Sequence, residues 1–229
     1  MKRTILSITA LLCLSFSAIG QIQIKQIDAV YKDQADGRVI SEEEFQSFKG
    51  NYTFHKVIRS KTGGKDTIVI SPPTSETLAA EAKRKRDFEA QVGQPAKAFS
   101  ATDIHGNSYS STELKDKVIV LNFWFVACTP CIKEMPQLNE LVNQYGKRDD
   151  IVFLGLSTDT EELLGKFLAK REFKYEIFAK SKHIAESYLV AAYPTSFVID
   201  KKGIVTYAHT GLGENTVNDI HNAIKKALD

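Results

Sequence analysis

Val118-Ile119-Val120-Leu121-Asn122-Phe123-Trp124-Phe125-Val126-Ala127-Cys128-Thr129-Pro130-Cys131 is the stretch from which the rest of the chain can be read. Its first nine residues are apolar but for Asn122, and they are rich in β-branched and aromatic side chains. A run this short and this apolar predicts a strand buried on both faces. After the cysteines, Ile132, Met135, Leu138, Leu141, Val142 and Tyr145 recur mostly at spacings of three and four, a helical stripe. Two cysteines therefore stand where a buried strand turns into a helix.

That corner has its own chemistry. The first turn of a helix offers free backbone N–H groups and a partial positive charge. A thiolate held there is stabilised, which lowers its pKa and enriches the nucleophile near neutrality. Cys128 is expected at the mouth of the turn as the attacking sulfur, with Cys131 beneath it to resolve a mixed disulfide. Pro130 removes a backbone donor and narrows the loop. Three other readings fit less well. A purely structural disulfide closing so small a loop would constrain the unfolded chain little. A zinc half-site needs a second ligand pair, and His55, His105, His183, His209 and His221 are scattered. Two inert thiols have no reason to stand together at a helix start. No metal and no cofactor are expected.

The chain has 229 residues, 43% of them hydrophobic, enough for one good core and an appendage. Lys2 and Arg3 precede an uncharged run from Thr4 to Gly20, and Ala18-Ile19-Gly20 supplies small residues for cleavage. Residues 1–20 are read as a secretory signal peptide, with Gln21 opening the mature chain. The run is short for a membrane-spanning helix, so no membrane anchor is expected. Leu12 precedes Cys13 and apolar residues continue after it, so the segment does not resemble a bacterial lipoprotein leader, and Cys13 is read as part of the signal peptide. Losing Lys2 and Arg3 takes the basic residues from 30 to 28 against 28 acidic ones. A formally neutral chain argues against nucleic acid and against bulk electrostatic attraction to membranes. Export implies a periplasmic or other extracytoplasmic compartment where disulfides persist. A protein that reduces others there needs a partner to resupply electrons.

Residues 21–75 are read as a small β-rich segment. Ile22 and Ile24 hint at a strand, and Ser41 to Phe45 looks like a capped helical turn. Tyr52–Lys61 and Thr67–Ser71 read as strands around the turn Thr62-Gly63-Gly64-Lys65-Asp66. No site chemistry is visible in it. Residues 76–92 are read as a charged helical linker whose Lys83-Arg84-Lys85-Arg86 run suits a solvated helix face. Residues 93–229 carry the second domain. A front hairpin spans Phe99 to Ser110, and a strand Ile151 to Ser157. Asp159 is expected to cap a helix with Leu163, Leu164, Phe167 and Leu168 inward. A strand at Tyr175–Ala179 and a helix at His183–Val190 come next. A strand at Ser196–Ile199 pairs across Asp200-Lys201-Lys202-Gly203 with Ile204–His209, and a last helix follows. Strands alternating with helices imply an α/β fold, a mixed sheet covered on both faces.

These residues resemble a known family. Asn122-Phe123-Trp124 followed by Cys128-Thr129-Pro130-Cys131 resembles the active strand and CxxC loop of the thioredoxin fold, and Pro136 matches its helix proline. Tyr193-Pro194-Thr195 before a strand resembles its cis-proline loop. The front hairpin, the leader, the added strand and helix, and Glu134 three residues after Cys131 resemble the TlpA/ResA-like branch of exported thiol–disulfide oxidoreductases. The resemblance covers residues 93–229 and says nothing about residues 21–92. It implies a Cys128 nucleophile, a resolving Cys131, and a Glu134 that tunes or relays protons for the pair. It also implies a substrate surface made of Trp124, Thr129, Pro130, Tyr193, Thr195 and a cis Pro194, the last leaving the backbone free for strand addition. Protein disulfides are the implied substrates, apocytochrome c one candidate, with a membrane thiol reductase as electron donor.

Two positions depart from thioredoxin itself. Asn122 stands at the buried aspartate, and Ala127 replaces the aromatic residue before the first cysteine. Neither Thr129 nor Pro130 adds positive charge, so a mild shift of the Cys128 thiol is expected. Two alternatives remain at this stage. A thiol peroxidase shares the front hairpin, but Phe125 stands where that family's threonine precedes its cysteine. A copper-handling or partner-binding module of the same fold would need more than one CxxC as a cage.

Overall fold

The structure is a computed structural model and describes residues 29–47, 53–58, 65–146 and 148–229. The leader, the strand hinted at by Ile22 and Ile24, and most of the turn at 62–66 lie outside the described residues.

The chain divides into two units, one ending at Pro72 and the other beginning at Pro73. In the first, β1 (Ala29–Asp33), α1 (Glu42–Ser47), β2 (Thr53–Ile58) and β3 (Asp66–Ser71) form a three-stranded sheet of order β1-β3-β2 with one helix. β1 runs parallel to β3, and β2 runs antiparallel to it. Ile40, Phe45, Ile68 and Ile70 make its small core, with the Tyr31 ring against Phe45 at 4.8 Å. Arg38 forks onto the Glu44 carboxylate at 2.6 Å and holds the loop before α1.

The second unit opens with α2 (Ser75–Glu89), capped by the Thr74 hydroxyl on the Thr77 N–H. No residue of α2 is buried; Lys83–Asp87 and Lys85–Glu89 pair along it at i,i+4 spacing. Its last turn is tied down. Phe88 packs on Phe197, and the Gln91 side chain donates to the Tyr188 carbonyl. The hairpin of β4 (Ser100–Thr102) and β5 (Ser108–Ser110) follows, as the sequence suggests. Then come β6 (Val118–Trp124), α3 (Thr129–Tyr145), β7 (Ile151–Ser157), α4 (Glu161–Leu168), β8 (Glu176–Phe178), α5 (Lys182–Ser187), β9 (Thr195–Ile199), β10 (Val205–Thr210) and α6 (Thr216–Leu228).

The five-stranded sheet has the order β10-β9-β6-β7-β8. β6, β7 and β8 are parallel, while β9 and β10 are antiparallel to their neighbours. Every residue of β6 is buried, as expected of a central strand covered by helices. Alternation sorts its side chains. Val118, Val120 and Trp124 pack with Met135, Leu138 and Leu141 of α3, Leu164 of α4, and Ile220 and Ile224 of α6. Ile119, Leu121 and Phe123 face the other way, onto Phe99, Leu114, Phe178, Ile184 and Tyr188. The two-residue period therefore places Asn122 on the α3 side.

One expectation fails in detail. The cap of α4 is Thr160, whose hydroxyl accepts from the Leu163 N–H, and Asp159 is used elsewhere.

Candidate active site

β6 delivers the chain to the C-terminal edge of the sheet, and Cys128 becomes the N-cap of α3. Its backbone is extended, its carbonyl accepts from the Ile132 N–H at 3.0 Å, and its sulfur accepts from the Cys131 N–H at 3.2 Å. Thus the sulfur takes the place of the hydroxyl or carboxylate oxygen of an ordinary cap. Pro130 lies in the first turn, where a missing N–H costs no helical hydrogen bond. Cys128 and Cys131 are joined as a disulfide with a Cα separation of 5.3 Å. Both are buried, Cys128 at 4% exposure and Cys131 at 1%.

The register across the sheet brings the second loop to this corner. β6 pairs antiparallel with β9 such that Phe123 faces Thr195. Pro194, one step beyond, therefore reaches the level of Trp124, at the strand end that leads to the cysteines. The Tyr193–Pro194 peptide bond is cis. The Tyr193 ring meets Phe125 edge-on at 5.3 Å. The Pro194 carbonyl accepts from the Gly211 N–H, and the Thr195 hydroxyl meets the Ala192 carbonyl and the Thr210 hydroxyl.

Three residues expected at the substrate surface are covered. Trp124 has no exposed surface; its ring packs against Phe167 and Phe173 at 5.5 Å each. It faces inward because it shares β6's α3 side with Val118 and Val120. Pro194 and Thr195 are buried as well. Their side chains shape the loop, and only Thr129, Pro130 and Tyr193 of the expected set reach solvent. Ala127, next to Cys128, is exposed.

Glu134 lies one helical turn after Cys131 and is 1% exposed. Its Oε1 accepts from the Asn122 amide at 2.8 Å, while Oε2 is buried with no partner. Burial pushes its carboxyl up to about 7, against the partial opposition of the Asn122 hydrogen bond. A carboxyl titrating there can take up and return a proton near neutral pH. Among the described residues, no three His, Cys, Asp or Glu side chains gather as a metal cage.

Sequence reasoning missed two supports. Asp159 Oδ2 accepts from the Val126 N–H at 2.6 Å and from the Ser157 hydroxyl at 3.0 Å, clamping the loop two residues before Cys128. The clue was present in the adjacent Thr160: with a better cap beside it, Asp159 is free for another task. The second support is the Asn122–Ser196 contact at 3.1 Å. The two residues face each other in the β6–β9 register, a pairing that a single sequence does not announce.

A mixed sheet with a disulfide spanning three residues at the end of its central strand, and the Pro194 loop alongside, defines a thiol–disulfide oxidoreductase of thioredoxin fold. The comparisons agree. Residues 92–208 match the family model described as the AhpC/TSA family. The chain is 36% identical over 138 residues to the thiol-disulfide oxidoreductase ResA of Bacillus cereus, covering 59% of this chain and 78% of that protein. The crystal structure of the thioredoxin domain of a thiol-disulfide oxidoreductase from Bacteroides vulgatus matches at a TM-score of 0.52 and 28% identity, covering 60% of this chain and 98% of that one. A thiol:disulfide interchange protein of the thioredoxin family from Chlorobium tepidum matches at a TM-score of 0.51 and 26% identity, covering 59% and 96%. The chain belongs to the AhpC/TSA family and, within the thioredoxin superfamily, to the ResA-like thiol–disulfide oxidoreductases.

Proposed function

We propose that this oxidoreductase works outside the cytoplasm and reduces protein disulfides through a Cys128/Cys131 cycle. The observation that carries the reading is the capping geometry, in which the Cys128 sulfur accepts a backbone N–H at the start of α3. In the reduced enzyme the Cys128 thiolate attacks one sulfur of a partner disulfide. That S–S bond breaks, and the released partner sulfur takes a proton. Cys131 then gives its proton to the Glu134 carboxylate and attacks the Cys128 sulfur. The mixed disulfide breaks, the second partner thiol leaves, and the enzyme keeps the oxidised pair. Two electrons pass from enzyme to partner.

The reducing direction is supported by charge. Oxidising relatives are strong because their dithiol form, as thiolate, is stabilised. Here Thr129 and Pro130 bring no positive charge, and a buried Glu134 opposes a nearby thiolate when ionised. The half-buried Tyr193, beside the corner that holds the cysteines, offers backbone for an extended substrate segment. The leader reading of residues 1–20 supports export, and no helix among the described residues is long and apolar enough to cross a membrane. Apocytochrome c is one candidate substrate, and a membrane thiol reductase the candidate donor. Equilibration with glutathione or thioredoxin buffers tests the direction. A potential near the thioredoxin value of about −270 mV fits a reductant, and one near about −120 mV marks an oxidant.

The AhpC/TSA match favours a second reading, a thiol peroxidase. Phe125, three residues before Cys128, is packed on Tyr193 and has no hydroxyl to orient a peroxide. Rapid peroxide consumption by the reduced enzyme would restore this reading.

A further inference from the structure

Asn122 is 1% exposed, and its amide nitrogen donates to Glu134 Oε1 at 2.8 Å and to Ser196 Oγ at 3.1 Å. With Nδ2 shared between Ser196 Oγ and Glu134 Oε1, the amide presents a donor to the carboxyl. Oε1 is thereby held as an acceptor. The other oxygen, Oε2, is buried without a partner. A protonated carboxyl carries its hydrogen on one oxygen only, and a hydrogen on Oε1 would confront the Asn122 N–H.

We infer that Asn122 and Ser196 are positioning residues that hold the Glu134 carboxyl by Oε1, so that Oε2 is the atom that gains and loses the proton. The inference rests on the proposed part of Glu134 in the cycle and adds how that carboxyl is set. It also gives a use to the Asn122 position, which cannot itself carry a proton. The amide steadies the ionised form, offsetting part of the burial that resists it.

Several titratable groups face this carboxyl. Cys128 and Cys131 share its helix. Tyr175, from the loop before β8, and Tyr207 of β10 both feel its charge, and burial raises both phenols, Tyr207 to about 12. They stay neutral through the range in question. His209 of β10 stands opposite Ser196 in the β9–β10 register. A bulk activity profile would mix these groups, so the carboxyl itself is to be followed.

The test is carbon-13 NMR titration of glutamate carboxyls in the full-length oxidised protein, with Glu134→Gln identifying the Glu134 signal. Asn122→Leu, of similar volume, removes the donor; the Glu134 titration should move up by about one to two pH units. Ser196→Ala frees the amide, and the move should be in the same direction and smaller. Ser196→Thr keeps the hydroxyl and should restore the original midpoint. The inference is overturned if Asn122→Leu and Ser196→Ala leave the midpoint in place, and Ser196→Ala alone decides the matter if Asn122→Leu does not fold. The proposed role of Glu134 is judged separately: exchange with a model disulfide that keeps its pH profile in Glu134→Gln would remove that role and leave the tether intact.

Discussion

Cys128 and Glu134 are set by opposite forces. A backbone N–H and the helix start steady negative charge on the Cys128 sulfur, while burial resists it on the Glu134 carboxyl. Cys128→Ser should abolish reduction of a model disulfide, whereas Cys131→Ser should still attack and then stall as a mixed disulfide, visible by mass spectrometry. The carboxyl also writes itself into stability. Its folded value of about 7 lies above its ordinary 4.5, so the folded protein binds the proton more tightly. The associated stabilisation is complete below about pH 4.5 and is lost as pH rises through 7, at most about 3 kcal/mol. Thermal melting of the oxidised enzyme should therefore fall between pH 5 and 8, and Glu134→Gln should flatten that slope. The sequence already offered both residues, because strand-to-helix chemistry and i,i+3 spacing are local. It left Trp124 between active-site wall and core, since an aromatic beside a reactive loop fits both equally well. The alternation of β6 decides for the core, and Trp124→Ala should cost about 3–5 kcal/mol while leaving no hole at the substrate surface.

At the scale of elements, β6, β7 and β9 deliver three chain segments to one edge. Local pattern made these strands readable: short runs rich in apolar and β-branched residues, bounded by turns. What stayed hidden were contacts across the sequence. The Asp159 clamp spans 33 positions to Val126, and no periodicity marks it. Asp159→Ala strands the Val126 N–H and should cost about 1–3 kcal/mol, with looser positioning of Cys128 seen as faster exchange of nearby backbone amides. Gly155 of β7 tells a similar story. A Cβ there would lie 2.8 Å from Ile177 Cδ1, with Phe173 and Trp124 at 3.2 and 3.3 Å. A side chain there would make the Ile177 side chain shift against its buried neighbours, and Gly155→Ala should destabilise by about 1–3 kcal/mol in denaturant titration.

For the whole molecule, the division at Pro72 and Pro73 separates the unit that holds the cysteines from one with no visible chemistry. We expect residues 73–229 to fold alone and to reduce a small model disulfide as the full chain does. The N-terminal unit would then matter only with a macromolecular partner. Its role was unreadable in sequence because its strands mark a fold and no motif groups their polar side chains into a site. In the proposed cycle Cys128 attacks and Cys131 resolves. The most direct measurement is trapping: Cys131→Ser and Cys128→Ser, each reduced, are mixed with one disulfide peptide, and the adducts are mapped by mass spectrometry. The predicted result is a stable mixed disulfide on Cys128 in the first variant and essentially none on Cys131 in the second. Equal or faster capture by Cys131, or no capture by Cys128, would contradict it.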